Sequence, residues 1–268
     1  LWGTRTVIPR LPQASVGGGF SITRPFTDFR LALSNRNFRI SIGTNLAFGM
    51  CAGVYTTLAL YLGTYFWEFS SNQLAGLVVP TAIATMLAFT LLGGLGRRYD
   101  KRTLIRVASL VLAVNAFWMI GARLLGLLPP NEHPLIYGLQ WLNTGIGVFV
   151  IVSLQVISAS LAADILDEHE LATGHRQEGV FFAAGAFLSK ATSGIGALVA
   201  GVVIDLAGIE PGSEPGTVPV DVLQTLGWFA CVLIAGFAFV AYLFACRLRL
   251  SRQDHQRVRE QLALMRGQ

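Results

Sequence analysis

A lysine inside an apolar stretch of membrane-spanning length restricts this chain more than any other feature. Residues 180–206 form an apolar span that carries one charge near its middle, Lys190. A run of that length suits a transmembrane helix. A lysine near mid-membrane costs roughly 2.5–3.5 kcal/mol on insertion scales, so such a charge marks a functional site by default. At about 1.5 Å per residue, Lys190 lies roughly 16 Å from Gly179, about half way across a hydrocarbon core of about 30 Å. Ala183, Ala186, Ser193, Gly194, Ala197 and Gly201 share its face. A stripe of small residues lets membrane helices approach closely, so Lys190 is expected to point into a bundle or a cavity. Asp205 is about 22 Å further along and cannot neutralise it. The plainer reading is a structural lysine, satisfied by backbone carbonyls or by an acid on another helix.

Five more apolar spans accompany this one, so that six run at about 40–66, 73–96, 103–128, 135–162, 179–207 and 221–246. Each is long enough to cross a bilayer, some with tilt. The chain is 53% hydrophobic and 13% charged, with a mean hydropathy of +0.57. A soluble domain averages about 25% charged, so the class is a membrane protein. The net charge of +5 does not point to nucleic acid, because the arginines cluster between apolar runs and at the two ends. The links at 66–73, 128–134 and 209–219 hold no Lys or Arg, whereas GRRYDKR at 96–102 and the tail are strongly basic. Short basic loops stay in the cytoplasm, which places both ends inside and the base-free loops outside. Tyr65, Trp67 and Trp141 fit an interfacial aromatic belt, with a deeper, cavity-lining position open for Trp141. Cys51, Cys231 and Cys246 sit in or beside apolar spans without metal-ligand spacing, and their odd number argues against a disulfide framework. No signal-peptide pattern precedes the spans, and a chain opening Leu-Trp-Gly suggests a fragment.

The polar residues inside the spans are few. Asn45 and Thr44 lie on the first, Thr81 and Thr85 on the second, Asn115 on the third, and Asn143, Ser153, Gln155 and Ser158 on the fourth. Interhelical hydrogen bonding, at about 0.6 kcal/mol each, is their usual use. The GxxxG from Gly49 to Gly53 reads as helix packing. The segment EHELATGH at 168–175 is not HExxH, since Thr173 stands where the second histidine belongs, and a solvated loop pairing its own charges is expected there. The pair Gly194 and Gly196 lacks the preceding strand of a dinucleotide fold, and no phosphate-binding loop or paired carboxylates point to an enzyme or to a bound cofactor.

The segment ADILDEHELATGHRQEG at 163–179, the two phenylalanines that follow and Lys190 resemble the loop and eleventh helix of the glycoside–pentoside–hexuronide:cation symporters, within the major facilitator superfamily. LSNRNFR at 33–39 resembles the entry to that family's seventh helix, and GRRYDKR at 96–102 the basic loop after its eighth. The resemblance covers nearly the whole chain as the C-terminal half of a twelve-helix protein. It implies an all-α membrane fold of six transmembrane helices. It also implies symport of sugars, glycosides or related solutes, driven by Na⁺, Li⁺ or H⁺ and alternating access between two six-helix halves. Lys190 is then the substrate- or cation-coupling residue, with Asn143, Gln155 and Asn45 as lesser candidates. Asp164, Asp167, Arg176, Arg97 and Arg98 are candidates for a cytoplasmic gate. The loop tyrosine usual after the second acid is absent, since Glu168 and His169 follow Asp167. Related lysolipid symporters share the pattern, so an amphiphilic substrate stays open, as does a non-transporting six-helix subunit. The expected organisation is a cytoplasmic connector at 1–38, a bundle at 39–247 and a cytoplasmic basic tail at 248–268. The setting is a bacterial inner membrane. The expected partners are the bilayer, a second six-helix half and a small-molecule substrate, with no nucleic acid.

Overall fold

The computed structural model describes residues 30–174, 178–209 and 213–266. Most of the expected connector, and Arg176, lie outside them. All secondary structure among the described residues is helical. In chain order it comprises α1 (Arg36–Tyr61), α2 (Ser71–Gly76), α3 (Val78–Arg98), α4 (Lys101–Leu124), α5 (Pro134–Thr173), α6 (Glu178–Ala207), α7 (Val220–Cys246) and α8 (Arg252–Arg266). Among the described residues six stretches are long and apolar enough to cross a membrane: α1 with its following turn, α2 joined to α3, and then α4, α5, α6 and α7.

Local chemistry sets the ends. Asn35 caps α1 by accepting from the Phe38 amide at 3.0 Å, so this helix starts at Arg36, within the last residues of the expected connector. At its far end α1 widens into a π-helical turn, Leu62–Phe66. Ser70 and Gln73 form a capping box that starts α2. The short break at Leu77 follows from Pro80, which has no amide to extend the ladder back to Gly76. His133 Nδ1 caps α5 at Leu135, and Pro134 occupies the first turn, where its missing amide costs nothing.

The largest departure from expectation is the length of α5. Residues 163–173, expected as a charged loop, continue the helix without a break, making it 40 residues long. At about 1.5 Å per residue that is about 60 Å, twice the apolar thickness of a bilayer. Ala, Leu and Glu are good helix formers, and nothing stops them before Gly174, which ends the helix at φ 70°. The acids from Asp164 to Glu170 therefore stand on a rigid stalk.

Packing does not follow chain order. Helix α6 lies along α1, α1 along α7, α7 along α4, α4 along α5, and α5 along α3. The tightest seam is α1 on α6. A Cβ added at Gly196 would stand 2.6 Å from the Met50 carbonyl oxygen and 2.9 Å from Gly53 Cα. The same seam puts Gly49 against Thr192. The GxxxG is thus a packing device. Trp67 departs from the belt expected of it. It is buried, with Phe66 edge-on at 4.9 Å and Phe69 stacked at 6.4 Å.

Candidate functional site

Backbone contact along the α1–α6 seam sets the rotation of α6. Phe181, Thr192, Gly196, Ala200, Val203 and Ala207 face inward and are buried. Lys190 lies off that face and is exposed, as are Ala183, Ala186, Ser193 and Gly194. Lys190, expected to point into a bundle or a cavity, faces outward among the described residues. It makes no hydrogen bond or ion pair among the described residues. The small-residue stripe is therefore not the face that packs on α1; that contact uses Gly196 and Thr192.

The lesser candidates do not gather around it. Gln155 is exposed on α5. Asn45 donates to the Ser41 carbonyl of its own helix at 2.9 Å. Asn143 lines an interior cavity of about 200 Å³ between α1, α4 and α5. Its backbone carbonyl accepts from Asn115 Nδ2 at 3.1 Å, and Trp118 Nε1 donates to Asn115 Oδ1 at 3.3 Å. Gln140 also lines this cavity, and the side-chain carbonyls of Gln140 and Asn143 are buried without a partner. Buried waters ordinarily satisfy such groups. Trp141 is half-buried and lines a groove between α3, α4 and α5, the cavity position left open for it.

The charged residues converge at the end of the bundle where α3, α5 and α7 finish and α4 begins. Asp164 accepts from Lys101 Nζ at 2.6 Å, a partly buried pair that joins α5 to α4. His255 of α8 lies 3.2 Å from Asp167 and 3.5 Å from Asp164. Glu168 accepts from Asn37 Nδ2 at 3.0 Å and from Asn35 at 3.3 Å, which ties the stalk to the start of α1. Arg106 donates to the carbonyls of Ala245, Cys246 and Leu248, closing the end of α7. Arg252 does the same for α3 through the carbonyls of Gly96 and Arg97. Cations at helix C-termini complement both the unpaired carbonyls and the dipole. The side chains of Arg97 and Arg98 are exposed and form no ion pair among the described residues. The stalk thus pairs with other elements, where a self-paired loop was expected. Of the gate candidates the structure joins Asp164 and Asp167, and it adds Lys101 and His255, which sequence reasoning missed. The signal for His255 was its register with Val258 and Leu262, at steps of three and four along one face of a basic helix.

Helix α8 has its own cap. The Ser251 hydroxyl donates to Asp254 Oδ2 at 2.6 Å and the Ser251 amide at 3.0 Å, while Asp254 N donates back to Ser251 Oγ. The hydroxyl bond, then the amide bond, hold the Asp254 carboxyl below its ordinary value of 3.8. A depressed folded-state pKa contributes stability above the ordinary value and loses it as pH falls through the folded one. Asp254→Ala is expected to weaken α8 by about 1 kcal/mol at neutral pH. Amide exchange across 252–266 should then quicken severalfold at pH 7, with the difference from wild type vanishing in acid. Equal protection of the two proteins at pH 7 would remove the cap from this account.

Fold and charge distribution together define a multi-pass α-helical membrane protein whose charged residues are concentrated at one end of the bundle. The chain belongs to the MFS/sugar transport protein family, whose model matches residues 15–252. It is also similar to an uncharacterized symporter of Synechocystis sp., at 27% identity over 240 residues. That match covers 87% of this chain and 42% of the relative, so the chain spans about two fifths of the relative's length.

Proposed function

We propose that this bundle is the C-terminal half of a secondary active transporter, a cation-coupled symporter of the glycoside–pentoside–hexuronide type. Sugars, glycosides or related organic solutes are its substrates, and Na⁺, Li⁺ or H⁺ is its coupling ion. The observation that carries this reading is Lys190, a charge midway along an apolar helix and exposed on a small-residue face that no other helix among the described residues covers. A second six-helix half docking on α6 supplies the cover and the counter-charge that an intramembrane lysine requires. Alternating access then proceeds by rocking of the two halves about a site between them. Asp164, Asp167, Lys101 and His255 act in this scheme as the gate-side brace that keeps α4, α5 and α8 moving as one body. The family description and the printed name of the Synechocystis relative support transport and symport respectively.

The arginine-rich end is the cytoplasmic end in this proposal, because basic loops are retained inside. In the protein carrying this chain, on a cysteine-free background, impermeant thiol reagents added outside should modify a cysteine placed at Asn131 and spare one at Thr173. The reverse pattern overturns the orientation. The coupling itself is tested by initial uptake of radiolabelled glycosides into proteoliposomes, with and without an imposed Na⁺ or H⁺ gradient, on wild type and Lys190→Ala.

A further inference from the structure

We propose that the groove between α3 and α4 is a binding site for an anionic glycerophospholipid, with an acyl chain between the helices and the phosphate on arginines at the groove's basic end. The groove encloses about 830 Å³. Its walls are apolar: Leu95 from α3 and Tyr99 just past its end, Leu104 and Val111 from α4, with Phe149 and Ile157 of α5 forming the floor. Along α5 its lining runs from Trp141 to Ile157, about 24 Å, most of the depth of a hydrocarbon core of about 30 Å. A groove of that shape and chemistry suits a hydrocarbon chain. It lies at the end of the packing order remote from α6 and therefore from the Lys190 face.

Charge selects the occupant. Tyr99 and Thr103 line the groove where α3 ends and α4 begins, so Arg97, Arg98 and Arg102 stand beside its mouth. Lys101 is held by Asp164, and Arg102 is paired with Asp100 at 3.3 Å. Arg97 and Arg98 remain exposed and unpaired among the described residues. Arg252 adds a third cation by seating its guanidinium on the Gly96 and Arg97 carbonyls. A phosphate whose lipid carries no compensating amine leaves its charge free for these groups, whereas a choline headgroup cancels it. Tyr99, half exposed at the rim, has the apolar body and polar tip of a side chain that sits at a membrane interface.

The test uses the protein carrying this chain, purified in dodecyl maltoside and mixed with dioleoylphosphatidylglycerol or dioleoylphosphatidylcholine in equal amounts. Retained lipid is counted by native mass spectrometry. Three arginines at a membrane surface predict a preference for phosphatidylglycerol on the order of a hundredfold. Arg97→Gln combined with Arg98→Gln, both at exposed positions, should bring that preference down to a few-fold. Ala108→Phe, which fills the groove about 8 Å below Thr103, should lower retention of both lipids. Equal retention of the two lipids by wild type overturns the site, as does a preference that survives the double arginine substitution. Unchanged retention in a folded Ala108→Phe protein overturns the acyl-chain placement. The arginine pair decides the matter alone if Ala108→Phe does not fold.

Discussion

Lys190→Ala is expected to reach the membrane in normal amounts and to lose gradient-driven uptake by about a hundredfold or more. Lys190 stands on the exposed face of α6 with no partner among the described residues. In the proposed transporter its partner is an acid of the second half, and the coupling cation competes with or reorganises that pair. Removing one member of a buried pair typically costs about 3–5 kcal/mol, because the other charge is left in a medium of low polarity. Lys190→Arg should restore little. The face around it carries Ala186, Ser193 and Gly194, shaped for a slim ammonium arm rather than a planar guanidinium with a different donor geometry. Ser189→Ala, one residue away, serves as the control and should be nearly silent. The measurement is initial uptake with and without an Na⁺ or H⁺ gradient, normalised to protein in the membrane. Wild-type coupled rates in Lys190→Ala would return this lysine to a structural role and remove the observation on which the symport reading rests.

Gly196→Ala is expected to destabilise the bundle by about 1–3 kcal/mol, the range for overpacking a tight contact. A larger residue there should prevent α1 and α6 from assembling. The added Cβ would meet the Met50 carbonyl oxygen at 2.6 Å, Gly53 Cα at 2.9 Å and the Val54 amide nitrogen at 3.0 Å. All three are backbone atoms, which cannot rotate aside as a side chain would. Gly194→Ala is the matched control. It lies two residues away on the same helix, and its Cβ meets nothing within 4 Å. On helix propensity alone that change favours the fold by up to about 1 kcal/mol. Thermal unfolding in detergent separates the two, with Gly196→Ala several degrees lower and Gly194→Ala at or above wild type. Equal midpoints for the pair would show that the seam is looser than its geometry implies. Loss of uptake without loss of stability in Gly194→Ala would instead report the proposed second half resting on that face.

The arrangement of apolar spans was legible in the sequence because a bilayer accepts only long apolar segments, and the six spans lie close to where hydropathy puts them. The GxxxG at Gly49 and Gly53 was legible for a related reason, since small residues exist in membrane helices mainly to let backbones meet. Which face of each helix meets protein was not legible. Lipid tails are as apolar as leucine, so hydropathy does not separate a packed face from a lipid-facing one. The stripe around Lys190 does not mark the face of α6 that packs on α1. Only the Gly53–Gly196 contact settled it.

The charged end shows the same division. The family resemblance marked Asp164, Asp167, Arg97 and Arg98 as gate candidates. Their partners came from elsewhere in the chain. Asp167 and His255 are 88 residues apart and meet only because α8 turns back onto the stalk of α5. That stalk is helical because its residues are good helix formers with no breaker before Gly174, a local preference outweighed in the sequence reading by its density of charge. Span positions and the depth of Lys190 follow from local composition and a fixed rise per residue. The order of packing, the outward turn of Lys190 and the brace around Asp164 depend on which backbones approach closely enough to exclude one another, and that is a property of the assembled helices.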